Sequence, residues 1–235
     1  MSRARPVIAI DGPSGVGKST LAARLALSLH FTKLDTGAMY RALALKALEQ
    51  DMDFDREAPL VSLAESTNIT LEPTTHATRV LLDTRDVTLR LRDADVTQAA
   101  SRISVHPGVR RWMVARQRTM GEHGGVVMEG RDIGTVVFPD AEVKFFLDAA
   151  EEVRGERRFR QEARRPQVES LSEDEVRSRL HERDQRDRTR AASPLVAAAD
   201  AVHLDTTALN ADEALARSLQ IIGSRFPGLA ARPAR

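Results

Sequence analysis

Cysteine is absent from this 235-residue chain, which excludes a disulfide framework, a thiolate metal site and a cysteine nucleophile and suits a reducing compartment. No apolar run approaches the length needed to span a bilayer, and the one after Arg3 and Arg5 is far too short for a signal peptide. The chain therefore reads as soluble and cytoplasmic. Lysine is scarce: Lys18, Lys33, Lys46 and Lys144 are the only four among 35 basic residues, and the rest are arginines. Arginine forks suit phosphate recognition; for most of them the competing reading is a compositional bias toward alanine and arginine. With a formal net charge of +1 the chain lacks the basic excess of a duplex nucleic-acid binder. The only asparagines, Asn68 and Asn210, begin no N-K-x-D, and no glycine has an aspartate three residues before it. A guanine-reading switch module is thereby excluded. The histidines, at 30, 76, 106, 123, 181 and 203, show no metal-ligand spacing, so no zinc site is expected. The single tryptophan, Trp112, lies with Met113 among apolar positions at helical spacing and reads as core.

What is present is concentrated near the N-terminus. Gly12-Pro13-Ser14-Gly15-Val16-Gly17-Lys18-Ser19-Thr20 fits G-x-x-x-x-G-K-[ST], preceded by the β-branched run Val7–Ile10 and followed by Leu21–Ala26 at helical spacing. Glycines at 12, 15 and 17 let backbone N–H groups turn inward around a phosphate chain. A helix starting at Lys18 adds the positive end of its dipole to the same place. Lys18 is expected at the outer phosphates of ATP, and the Ser19 hydroxyl on the Mg²⁺ that accompanies them.

Along the rest of the chain strands alternate with helical segments, which predicts an α/β fold with a mainly parallel sheet covered on both faces. Expected core strands are Val7–Ile10, Lys33–Asp35, Val126–Glu129, Val143–Leu147 and Ala201–Leu204. Capping pairs Asp148 with Glu151, Ser172 with Glu175 and Asn210 with Glu213 predict three helix starts. The alternation breaks between Asn68 and Leu91, where Ile69, Leu71, Val80–Leu82, Val87, Leu89 and Leu91 suggest a small antiparallel sheet with turns at residues 73–76 and 83–86. Two helices, Asp95–Ser104 and Val109–Glu122, are expected next. Arg160–Leu171, with little to bury, is the natural mobile lid, and the tail from Pro227 is expected to fray.

Three further blocks stand out: Asp35-Thr36-Gly37-Ala38-Met39-Tyr40-Arg41, Gly130-Arg131-Asp132-Ile133-Gly134-Thr135-Val136-Val137-Phe138-Pro139-Asp140, and Arg183-Asp184-Gln185-Arg186-Asp187-Arg188-Thr189-Arg190. With the P-loop in front of them, in this order and at these separations, the chain resembles the bacterial cytidylate kinases over nearly its whole length. The resemblance implies a P-loop nucleoside-monophosphate kinase with a parallel five-stranded core sheet, an inserted small antiparallel sheet and a lid. In that scheme residues 1–35, 124–159 and 190–235 form the core. Residues 36–123 form a monophosphate-binding domain with the β insertion near 68–91, and 160–189 the lid with its flanking helix. The implied reaction is phosphoryl transfer from ATP to CMP and dCMP, by a monomer that uses Mg²⁺.

Chemistry independent of the name agrees. Arg41, Arg131 and Arg190 come from three segments near the sheet edge where the P-loop opens, the edge at which α/β sheets collect ligands. Converging forks can hold a dianionic acceptor against the ATP terminus. Arg186 and Arg188 read equally well as solvated surface arginines. By resemblance Thr36, Arg41, Arg131 and Arg190 hold the acceptor phosphate; Ser101, Arg110 and Asp132 read the base; and Arg183 and Asp187 lie near the sugar. A carboxylate accepting from the cytosine amine beside a donating arginine suits that base, while Asp132 alone could equally be a turn-closing loop carboxylate. Tyr40 sits beside Arg41 at a helix start facing this site, where packing explains it adequately. Arg157 and Arg158 match a double arginine of the family at the lid; the alternative is a solvated helix face paired with Glu151, Glu152 and Glu162. A kinase of UMP or of a small hydroxyl-bearing metabolite is the rival, and the hydroxyl case needs a base such as Asp35.

Overall fold

Every residue of β1 (Val7–Asp11) is buried, because it is the middle strand of a five-stranded sheet and has helices on both faces. The computed structural model describes residues 3–73, 78–163 and 172–229. The other strands of this sheet are β2 (Thr32–Asp35), β6 (Val126–Glu129), β7 (Val143–Asp148) and β8 (Val202–Asp205), in the order β2-β6-β1-β7-β8. All pairings are parallel, with Ile10 opposite Glu129 on one side and Phe145 on the other. The expected α/β fold and its five core strands are therefore present, each within a residue or two of the expected bounds.

One face of the sheet carries α1 (Lys18–Leu29) and α8 (Ala211–Arg225), whose Leu21, Leu25 and Ile222 pack with Ile8, Ile10 and Phe145. Val7, Ala9 and Met128 point to the opposite face and meet Val114 and Phe138. A separate hydrophobic cluster joins α2 (Thr36–Glu49), α3 (Glu57–Glu65), α4 (Ala94–Ile103) and α5 (Pro107–Gly121) around Leu43, Leu60, Ile103 and Met113. Met113 is core as expected, with Trp112 half-buried against the same cluster. Two long helices, α6 (Glu151–Ala163) and α7 (Glu173–Thr189), pack on one another.

The small sheet is real, with β3 (Ile69–Pro73), β4 (Thr78–Leu82) and β5 (Arg85–Asp86) paired antiparallel. Its third strand is shorter than the apolar pattern suggested. Val87 and Leu91 are both buried four residues apart, Leu89 is 91% exposed, and Leu91 N–H donates to Val87 O at 3.1 Å. That is helical spacing, so the chain turns into a 3₁₀ segment after two paired residues. The turn before β5 is tight, with Asp83 and Thr84 both at positive φ; the turn placed at 73–76 lies mostly outside the described residues.

Two capping boxes hold as expected, Ser172 with Glu175 and Asn210 with Glu213. Asp148 does not cap α6: it ends β7, its carboxylate accepts from Ala149 N–H at 2.9 Å, and Glu151 is already the first helical residue. Residues Arg160–Ala163 belong to α6 rather than to an irregular lid. The remainder of that lid, 164–171, and the tail after Leu229 fall outside the described residues.

Candidate active site

The P-loop leaves β1 between the ends of β6 and β7. A Cβ at Gly12 would lie 2.1 Å from Leu147 O, so the loop passes β7 at a distance no side chain permits. Gly15 and Gly17 have φ of +83° and +94°, the left-handed region that glycine adopts freely, and Gly17 opens α1 directly. Lys18, Ser14 and Val16 are buried, and Pro13 O accepts from Lys18 Nζ at 2.5 Å. Burial first, and then the Arg131 charge, push the Lys18 pKa well down. An ammonium so placed gains by meeting an anion.

Ser19, the first-turn hydroxyl, donates to Glu129 Oε2 at 2.6 Å. Glu129 ends β6; its Oε1 is buried, lies 3.2 Å from Lys33 Nζ and accepts no hydrogen bond among the described residues. Burial, with Asp35 nearby, raises its pKa. A hydroxyl and an under-satisfied carboxylate beside a phosphate cradle form the hard-oxygen set that magnesium takes when it shares its shell with phosphates. Among the described residues no group of three or more His, Cys, Asp or Glu could cage a metal without such help. Asp11 immediately precedes the P-loop and Glu129 the Gly130-Arg131-Asp132 block, and neither is read as a site residue from the sequence, although an acidic residue closing a core strand beside a motif is a legible signal. Asp11 accepts from the N–H groups of Ile133 and Gly134 at 2.9 and 2.7 Å, shaping the π-helical turn Ile133–Val137.

On the far side of the loop the separate arginine-bearing segments converge. Arg131 donates through Nε to Asp187 Oδ2 at 2.8 Å and through Nη2 to Ser14 Oγ at 2.8 Å. Arg190, the residue after α7, donates to the other Asp187 oxygen at 3.2 Å and lies 3.8 Å from Asp132. Arg41 pairs with Asp35 Oδ2 at 3.0 Å. Arg110 on α5 faces Asp132 Oδ2 at 2.5 Å and lies over the Tyr40 ring. Burial pushes the Tyr40 hydroxyl up to about 12. Burial and the neighbouring Arg131, Arg41 and Arg158 press Arg183 below its ordinary value. Arg41 Nε, Arg110 Nε and Arg190 Nη2 are buried without hydrogen-bond partners among the described residues. Crowded cations with orphaned donors are built for a multiply charged anion.

Comparison with known proteins decides which anion-handling family this is. The family model described as cytidylate kinase matches residues 8–224, from the P-loop strand to the last long helix. The chain belongs to the cytidylate kinase family. A cytidylate kinase of Solibacter usitatus is 49% identical over 94% of this chain and 94% of its own length. One from Geobacillus kaustophilus is 46% identical over 93% and 97%. Among solved structures an uncharacterised protein from Eubacterium ventriosum superposes with a TM-score of 0.51 at 13% identity, over 94% of this chain and 99% of that one, a likeness of fold alone.

Within this cytidylate kinase fold most of the expected site residues meet. Thr36 opens α2, and its hydroxyl donates to Glu129 O at 2.7 Å. Ser101 Oγ accepts from Arg186 Nη1 of α7 at 2.8 Å, while Ser104 O accepts from Arg110 Nη1 at 3.2 Å. Arg186 is thus tied to α4 through Ser101 and is not simply solvated. Asp187, expected near a sugar, is occupied with Arg131 and Arg190; although burial raises its pKa, those cations and Arg183 more than offset this and leave it low. Arg157 donates to Thr206 O at 2.7 Å, Thr206 Oγ1 at 3.1 Å and Leu209 O at 3.2 Å, which fixes the loop after β8. Arg158 pairs with Glu162 at 2.7 Å, four residues on. Among the described residues neither donates to the acceptor cluster: both lie midway along α6 and their guanidinium groups are committed to these partners. Asp184 and Arg154, a buried ion pair between α7 and α6, were not anticipated; the chain carries too many Arg and Asp for sequence to single them out.

Proposed function

We propose that this chain transfers the γ-phosphate of ATP to CMP, and to dCMP, with Mg²⁺. Resident magnesium would neutralise charge on the ATP phosphates, held by Ser19 and oriented through Glu129. In the transfer an oxygen of the monophosphate bonds to the γ-phosphorus while the bond to the β–γ bridging oxygen breaks and ADP departs. The attacking oxygen is already anionic, so no general base is required. Lys18 and the P-loop N–H groups take the donor phosphates; Thr36, Arg41, Arg131 and Arg190 take the acceptor phosphate. Ser101, Arg110 and Asp132 read the base, and Arg183 lies toward the sugar with Asp187. Tyr40 packs beneath Arg110. Arg158, beside Arg183, and Arg157 are the side chains of α6 that would reach the transferring group on closure. Residues 36–123 serve as the acceptor-binding domain, 160–189 as the lid with its flanking helix, and the chain acts alone in the cytoplasm.

The observation that carries the reading is the facing of two anion sites, with orphaned guanidinium donors on one side and the glycine cradle with buried Lys18 on the other. Asp35, the base a hydroxyl acceptor would need, is instead the N-cap of α2 and the partner of Arg41. Coupled ADP-release assays with CMP, dCMP, UMP, AMP and hydroxyl acceptors test it. CMP should give the highest kcat/KM, and faster turnover of UMP or a hydroxyl compound would overturn the cytosine assignment.

A further inference from the structure

Ser14 lies in the leading turn of the P-loop, and each of its polar groups is held by a different segment. Its N–H donates to Asp184 Oδ1 of α7 at 2.9 Å. Its carbonyl accepts from Arg154 Nη1 of α6 at 3.3 Å. Its hydroxyl accepts from Arg131 Nη2 at 2.8 Å. Asp184 and Arg154 pair with one another, closing a buried ring through both long helices and the loop. The turn that begins the ATP cradle is therefore anchored to the helices that frame the acceptor, and its side chain is the point where Arg131 joins the two.

Arg131 shows why that contact matters. Nε donates to Asp187, Nη1 to Gly130 O at 3.2 Å and Nη2 to Ser14. A guanidinium has five N–H donors in a rigid fork, so these bonds leave one N–H on each terminal nitrogen for a phosphate to accept. Without Ser14 the fork would be held at Nε by Asp187 and at Nη1 by the longer 3.2 Å bond to Gly130 O, and Nη2 would have no partner among the described residues. Ser14 at the far corner fixes its plane before a ligand arrives, so the rotamer entropy of a long side chain is lost on folding and not on binding.

We propose that Ser14 is a positioning residue for the acceptor: its hydroxyl, carried on the donor loop, orients Arg131 and so sets where the acceptor phosphate meets the ATP terminus. This inference rests on the proposed phosphorylation of CMP.

The test is a double-mutant cycle on the full-length chain with Ser14→Ala, Arg131→Lys and both, read as kcat/KM for CMP at saturating ATP, with ATP affinity measured separately by calorimetry without acceptor. Ser14→Ala should lower kcat/KM for CMP about tenfold, as a misoriented catalytic group does, while ATP affinity stays near that of the parent. In the Arg131→Lys background, where the fork is gone, Ser14→Ala should cost little more. Three results would each overturn the proposal: an unchanged kcat/KM for CMP, a loss confined to ATP affinity, or the same fold-loss in both backgrounds. If the parent enzyme prefers another acceptor, the proposed function fails, and the cycle run with that acceptor still judges Ser14.

Discussion

Arg110 and Asp132 form a buried ion pair, Nη2 to Oδ2 at 2.5 Å, with side chains only 4% and 8% exposed. Neither is near the other in sequence, and each is costly to bury alone. The pair offers a carboxylate acceptor and a guanidinium donor side by side, the two patterns that cytosine presents in reverse.

Replacing Asp132 with asparagine should therefore narrow the preference for CMP over UMP more than it weakens ATP binding. Parallel kcat/KM measurements on both monophosphates read this directly, and unchanged selectivity would remove Asp132 from base recognition. Asp132→Ala should in addition lower stability by about 3 kcal/mol, the order expected when one partner of a buried pair is removed; chemical denaturation measures it.

Lys18→Ala separates activity from stability. Turnover should fall by a factor on the order of 10³ or more, as befits loss of a charge-stabilising group in phosphoryl transfer. Because burial and Arg131 disfavour the charged ammonium in the fold, removing it should leave the melting temperature unchanged or raise it. A variant that is both inactive and unfolded at moderate temperature would contradict this account of the site.

Asp35→Asn discriminates between acceptor classes. The amide oxygen can still accept from Ala38 N–H, at 3.0 Å in the parent, so α2 keeps its cap and kcat should change modestly. A hydroxyl-directed kinase would lose about 10²–10⁴ in kcat with its general base. KM for the monophosphate should rise, since Arg41 loses its ionic partner.

Asp11 makes stability pH-dependent in a particular direction. Burial, only partly countered by the Gly134 and Ile133 N–H groups, raises its pKa from 3.8 to about 6. A carboxyl raised on folding favours the fold in its protonated form, so this contribution is complete below about 3.8 and is lost as pH rises through about 6. The stability advantage of the parent over Asp11→Ala should consequently shrink by about 1–2 kcal/mol between pH 5 and pH 8. Urea unfolding at the two pH values measures it, and a constant difference would show that Asp11 titrates normally.

Contiguous segments carried most of what could be read from residues alone. The P-loop, the five core strands and the caps at Ser172 and Asn210 depend on neighbours within a turn or a pleat, and their chemistry is written locally. Val87–Leu91 misled because a short apolar run satisfies either a strand or a helical turn, and packing of Val87 and Leu91 on the same side chose the latter. Asp148 misled because a strand residue at the sheet edge spent its carboxylate on the next N–H. Among 31 arginines, spacing could nominate candidates but not rank them, which is why Arg186 stayed open between surface and site and Arg154 went unnoticed.

Chain order was thus enough for the phosphate-binding loop, for the α/β architecture and for membership of a kinase family, since each is encoded in short stretches whose backbone geometry follows from residue type. The assignment of partners was a matter of the folded molecule: Ser14 to Arg131, Asp184 to Arg154, Glu129 to Ser19, and Arg110 to Asp132. Those pairs span more than twenty and up to 117 positions, and electrostatic selection among many like charges operates through distance and burial, which exist once the sheet has brought the strand ends together.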